Sequence, residues 1–199
     1  WGTLTYGRED GPLRLRCRPV ATPAIDAPPG TVGYASIDVT FTADTPFWES
    51  AAELVEAVGM TRRFWHFPWA PVKTPMGAYD RYARIWNPTG ETIYPLAEIY
   101  TTAQHITLAN QTTGQHVTIE HAIASGQKLV VDLRDVTAFL YEDEAVERSG
   151  VCEDVSNWMS LDSDPWGLEP GENVVVISSD AVADTPVTFL KYRLLYLGV

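Results

Sequence analysis

The chain has 199 residues, 45% hydrophobic and 11% aromatic, with 14 glycines and 14 prolines, which suits a turn-rich protein with a real core and excludes a disordered one. A formal charge of -12 and a pI near 4.6 oppose attraction to a nucleic-acid backbone or an anionic membrane, so partners are expected among proteins, sugars and cations. No apolar run approaches the roughly 18 residues that span a bilayer, no signal peptide is expected, and the start at Trp1 suggests a segment removed upstream or a part of a longer polypeptide.

In chain order, LRLRCR at 13–18 alternates strictly and predicts a half-buried strand, with Leu13, Leu15 and Cys17 inward and Arg14, Arg16 and Arg18 outward. The proline and glycine content of ATPAIDAPPGTVG marks a long loop. Residues 35–42 repeat the alternation, with Ala35, Ile37, Val39 and Phe41 on the expected core face. SAAELVEAVG is rich in helix formers and predicts a short helix ending at Gly59, although Leu54, Glu56 and Val58 also fit a strand. FWHFPWAPVKTP, with four aromatics and three prolines, reads as an extended connector and places a domain boundary near Lys73 to Met76.

Beyond it, YARIWN, TIYPLAEIY, HITLAN, HVTIEH, KLVVDL, VTAFLY, NVVVIS and PVTFLKYRLLY follow one another at the spacing of a β-sandwich. In HITLANQTTGQHVTIEH the loop Gln111 to Gly114 predicts a hairpin with Leu108 opposite Val117, Ile106 opposite Ile119 and Ala109 beside His116. His105 is then expected beside Glu120. Gly167, Pro170 and Gly171 turn the chain so that Val174 to Ile177 enter as a central strand, with Trp166 plugging the end of the core. In the last strand Leu190, Tyr192, Leu194 and Tyr196 share one side.

The order of RIWNPTGETIYPLAEIY, HITLANQTTGQHVTI, GQKLVVDL and WGLEPGENVVVI, closed by YLGV, resembles the C-terminal domain of siphophage distal tail proteins over residues 84–199. Residues 13–49, ending in the corner ADTPFWE, resemble the end of such a protein's N-terminal domain. The resemblance implies an all-β chain of two β-sandwich domains. Residues 1–72 would be the end portion of the ring-forming domain, 73–83 a linker, and 84–199 a galectin-like, carbohydrate-binding-module-like jelly roll. It further implies a ring, a hexamer in this family, that joins the tail tube protein to baseplate hub or tail fibre proteins. Such a protein is located at the tail tip of the virion and assembled in the host cytoplasm. In some tails the outer domain contacts the host surface, so a host glycan is a further expected ligand, and the rival reading is a carbohydrate-binding module.

The residues themselves carry several alternatives. His105, His116 and Glu120 have zinc-ligand chemistry, but the default is a solvated cross-strand pair and no metal. The segment 142–184 holds twelve acidic residues against Arg148, and no pair of them stands out as glycosidase carboxylates. Asp162, Asp164, Glu169 and Glu172 offer oxygen ligands without an EF-hand spacing, so a solvated loop is the plainer reading. With no Ser-His-Asp setting or phosphate loop, neither catalysis nor a cofactor is expected. Cys17 and Cys152 read as unpaired thiols. Arg14, Arg16 and Arg18 either pair with carboxylates such as Asp38 or form a subunit contact, which the resemblance to a ring protein favours. Trp86, Tyr94, Tyr100, Trp158 and Trp166 are the candidates for stacking on sugar, set against a place in the core.

Overall fold

The computed structural model describes residues 1–21, 24–26, 36–59, 82–142, 152–179 and 187–198. Its described residues are all-β apart from one 3-10 turn at Ser156–Trp158. The chain divides into two compact units, one of residues 1–52 with 195–199 and one of residues 53–194. These units depart from the expected spans 1–72 and 84–199 at both ends; the expected connector 64–75 lies outside the described residues, as does the expected linker 73–83 except for its last two positions.

Unit 1 contains β1 (Gly2–Tyr6), β2 (Leu13–Pro19), β3 (Ala24–Asp26), β4 (Ser36–Asp38), β5 (Phe41–Ala43) and β6 (Phe47–Ser50). The register of β1 and β2 runs from Gly2 opposite Cys17 to Tyr6 opposite Leu13. As expected from the alternation, Leu13 and Cys17 are buried, and Cys17 is a free thiol. The expected strand 35–42 is instead two short ones, β4 pairing with β3 and β5 with β2. Its predicted core face is not a core here, since Ile37, Val39 and Phe41 are 58%, 40% and 44% exposed. Alternation reports which residues share a face, and no second layer covers this one among the described residues.

Unit 2 begins with β7 (Leu54–Val58), which corrects the expected helix. Helix propensity over so few residues is a weak preference, and β7 pairs along its whole length with β16 (Val187–Tyr192), where Val58 is fully buried opposite Thr188. The other strands are β8 (Tyr82–Asn87), β9 (Leu96–Tyr100), β10 (Ile106–Asn110), β11 (Gln115–Ile119), β12 (Lys128–Asp132), β13 (Thr137–Tyr141), β14 (Cys152–Asp154) and β15 (Gly171–Ser179). They form a four-stranded sheet in the order β11-β10-β15-β8 and a six-stranded sheet in the order β14-β13-β12-β9-β16-β7. Ile85, Leu108, Val117, Val175 and Ile177 of the first sheet and Ile99, Leu129, Val131, Leu140 and Leu190 of the second are all buried. This is the two-layer sandwich that the period-2 patterning of these strands requires. The hairpin register is as predicted, with Leu108 opposite Val117 and Ile106 opposite Ile119, and Gly114 takes φ +78° to close the turn.

The last expected strand is broken. Leu190 and Tyr192 stay in unit 2, whereas β17 (Leu195–Leu197) pairs with β6 and completes the sheet of unit 1 in the order β1-β2-β6-β17, with β5 against β2.

The turn WGLEPGEN is held by buried polar groups rather than by its glycines alone. Asn87, Asn110 and Asn173, from β8, β10 and β15, are each almost fully buried. The Asn87 amide donates to the carbonyls of Glu91 and Leu168 at 2.8 Å, and that of Asn110 to the Gly167 carbonyl at 3.0 Å and to Asn173 Oδ1 at 3.1 Å. The Asn173 amide reaches the Glu169 carbonyl at 2.7 Å, while its Oδ1 accepts from the Glu169 N–H at 2.9 Å. Burial of these amides is tolerable because both ends of each are used.

Candidate functional site

Two surfaces carry the candidate residues, one on each unit. On unit 1 the alternation of β2 turns its arginines to one side. Arg14 faces Glu49 in register and forks onto its Oε2 at 2.8 and 3.0 Å. Arg16 reaches Asp44 at 3.4 Å, and the guanidinium groups of Arg16 and Arg18 lie 5.6 and 5.1 Å from the centre of the Trp1 ring. The partners are therefore Glu49 and Asp44 and not the expected Asp38. Pairs this exposed contribute about 0–1 kcal/mol each, so they orient the arginines more than they stabilise the sheet. Trp1 is 59% exposed and rests on two cations. The stripe thus offers guanidinium donors and an indole face together, a combination suited to protein recognition.

Among the described strands the same sheet ends at two borders. β1 and β17 each have one strand neighbour among the described strands, and β1 is exposed along its whole length without a charge or a proline. A border of that kind presents main-chain donors and acceptors to another chain.

On unit 2 the structure separates the five aromatic candidates. Trp166 has the core place expected of it and not the alternative stacking role: it is 1% exposed, and its indole N–H donates to the Leu108 carbonyl at 3.0 Å, so it presents no face to a ligand. Trp86 is 66% exposed on the outward face of the four-stranded sheet. It lies opposite Glu172, whose carboxylate takes the Arg84 guanidinium at 3.1 Å. Tyr94, 45% exposed, precedes β9. Tyr100 belongs to the outward face of the other sheet, where its ring meets Phe189 edge to face at 6.0 Å. Trp158 is 52% exposed in the 3-10 turn, tilted against His121 at 5.3 Å. Because Trp86 and Tyr100 face away on different sheets, these residues are not one site.

The expected ligand clusters are dispersed as well. His116 lies 3.8 Å from Asp162, Asp164 accepts from Gln115, Glu169 from Thr92, and Glu172 from Arg84. Among the described residues no three metal-ligand side chains gather. The Asp162 carboxyl is held below its ordinary range, first by the Ser160 hydroxyl, then by its own backbone N–H and by His116. That of Asp154 is lowered by hydrogen bonds from Ser156. Both directions mark solvated, hydrogen-bonded carboxylates and not a poised acid or base.

The sequence reading missed the Arg84–Glu172 pair beside Trp86 and the seat of Trp1 on the arginines. The first has no local signal, since the two residues are far apart in the chain. The second had one in the outward arginines of LRLRCR, but only the pairing of β1 with β2 brings Trp1 there.

No curated protein and no solved structure matches the chain. Residues 90–194, more than half of it, match the family described as Siphovirus-type tail component, C-terminal domain. That match covers the sandwich of unit 2 from just after β8 to the end of β16, and with it a structural place among other proteins in a phage tail. The chain belongs to the family of siphovirus-type tail components.

Proposed function

We propose that this chain is a ring-forming protein of the tail tip that joins the tail tube to the baseplate hub, with assembly and not catalysis as its task. The observation that carries the reading is the sheet of unit 1. It has an uncharged, exposed border at β1, another border at β17, and an exposed stripe of arginines with Trp1 between them. Two different borders on one subunit suit head-to-tail contacts, and such contacts close into a ring when the rotation between subunits closes. The test is the mass of the protein in solution by light scattering, with negative-stain images of the same sample. A ring, six-fold as the family resemblance implies, is the expected result. A monomer at every concentration, with and without tube protein, sinks the proposal.

A second reading has its own observation. Trp86 presents an open indole face bordered by the Arg84–Glu172 pair, and an aromatic platform flanked by hydrogen-bonding groups fits the face of a sugar ring. Glycan-array binding that disappears in Trp86→Ala would favour a host-recognition role for unit 2. An array without signal removes that role and leaves the ring untouched.

A further inference from the structure

One end of unit 2 holds apolar side chains out into water on a fastened backbone. In the turn from β12 to β13, Asp132 Oδ1 accepts the N–H groups of Arg134 and Asp135 at 2.9 and 3.2 Å. Val136 follows at φ +55°, with its side chain exposed. A turn that had only to reverse the chain would hold glycine or asparagine there, since a β-branched residue in the left-handed region is strained. β14 runs antiparallel to β13 with Asp154 opposite Phe139, so the chain leaves β14 at this same end. The segment that follows is tied to both sheets. The Val155 N–H donates to the Ala138 carbonyl at 2.9 Å, and Ser156 Oγ accepts the Ala138 N–H at 2.9 Å. On the other side the Trp158 carbonyl accepts the Glu120 N–H and the Ser160 N–H donates to the Thr118 carbonyl, both at 2.8 Å. This pinned segment nevertheless leaves Trp158 half exposed and Leu161 fully exposed.

Apolar groups on a backbone that is already ordered lose little freedom on binding, and a tryptophan among them is a common interface anchor. Their setting is acidic. Asp135, Asp154, Asp162 and Asp164 lie exposed on the same two segments, against Arg134 and the neighbouring His116 and His121. Hydrogen bonds hold the Asp154 and Asp162 carboxyls below their ordinary range, which keeps both charged. A fitting partner needs an apolar face with cations beside it, and the chain carries such a face itself. Trp1 is exposed against Arg16 and Arg18. Among the described residues Arg18 has no carboxylate within ion-pair distance, and the exposed pair of Arg16 with Asp44 at 3.4 Å is weak enough to exchange. We propose that this end of unit 2 in one copy docks on the Trp1 and arginine stripe of unit 1 in the next copy. Leu161, Trp158 and Val136 meet the indole, and the aspartates face Arg16 and Arg18. The inference rests on the ring reading and deepens it by naming two faces that meet head to tail.

The experiment uses the full chain and follows assembly by light scattering and negative-stain imaging, with melting temperature measured on the same samples. One variant carries Asp162→Lys with Asp164→Lys, the other Arg16→Glu with Arg18→Glu. Alone, each sets like charges against each other at the proposed contact and should need at least about tenfold more protein to assemble. An equimolar mixture should assemble again, because in alternating copies each lysine end meets a glutamate stripe and each native end meets a native stripe. Contacts within one chain cannot give that rescue. Leu161→Ser should weaken assembly at an unchanged melting temperature, since its side chain is fully exposed. Val136→Asn should melt higher and assemble less well, a divergence that a purely structural residue would not give. The inference is overturned if both charge variants assemble like the native chain, or if their mixture fails to assemble better than either alone. A native ring that ignores all four variants overturns it and leaves the ring reading standing. A native chain that stays monomeric, with and without tube protein, removes the ring reading and this inference with it.

Discussion

The two units are built from the same alternating strands and differ in what covers them. Unit 2 has two sheets whose facing residues, from Ile85 to Leu190, are buried, together with a satisfied network of three asparagines. In unit 1 the buried apolar side chains among the described residues are Leu13, Cys17 and Leu195, while Trp1, Tyr6, Phe41 and Leu197 are 44–70% exposed. A sheet with one thinly covered face gains little from burial, since stabilisation follows apolar area removed from water. The difference teaches that, among the described residues, unit 2 holds most of the buried apolar core and unit 1 most of its open sheet surface.

Truncating the core of unit 2 is the severest test of that contrast. Trp166→Ala removes the largest fully buried side chain and leaves the Leu108 carbonyl without its donor, and should cost about 3–5 kcal/mol. Trp1→Ala, on the open surface of unit 1, should cost little. Urea denaturation of both variants measures the difference, and similar losses would break the comparison.

Next in size is the asparagine network. Asn110→Ala strands the Gly167 carbonyl and the Thr112 N–H, both of which Asn110 now satisfies, and should cost about 2 kcal/mol. An effect below the measuring error would mean that the corner does not depend on it. Val136 offers the opposite sign. It is a β-branched residue at φ +55° in the turn between β12 and β13, a region such side chains avoid. Val136→Asn should therefore stabilise the protein by about 1 kcal/mol, read from the same denaturation curves.

Reversing the stripe separates assembly from folding. Arg16→Glu with Arg18→Glu removes an exposed ion pair and two contacts to Trp1, and should change stability by less than about 1 kcal/mol. Under the proposed ring the same variant should lose assembly in light scattering. Unchanged assembly would move the subunit contact away from the arginines.

Much of unit 2 was legible because alternation and turn chemistry act locally. The register of Ile106 to Ile119 followed from the hairpin loop and the positive φ of Gly114. What was not legible depended on distant partners. SAAELVEAV carries helix formers, and only pairing with β16 makes part of it a strand. Ile37, Val39 and Phe41 share a face, but no local pattern states whether anything lies over it. Leu190 to Tyr196 reads as one strand, whereas the chain leaves one sheet after Tyr192 and joins another at Leu195. Nothing local in KLVVDL marks Lys128 as buried, and its place between two tyrosines appears only in the register.

The smallest expected effect lies at that crossing. Tyr192, at the end of β16, is buried, and burial first, then the charge of Glu56, raises its phenol above the ordinary value of 10.0. As pH rises past that value the unfolded chain loses its proton before the folded one does, so the folded state holds more protons and stability falls. Below it both states are protonated and the residue adds no pH dependence. Tyr192→Phe should therefore flatten the loss of stability above about pH 10 and leave the neutral range nearly unchanged, as measured by melting temperature across pH. If the alkaline loss survives in the variant, the titrating group lies elsewhere and the Tyr192 phenol at the end of β16 is not what links folding to pH.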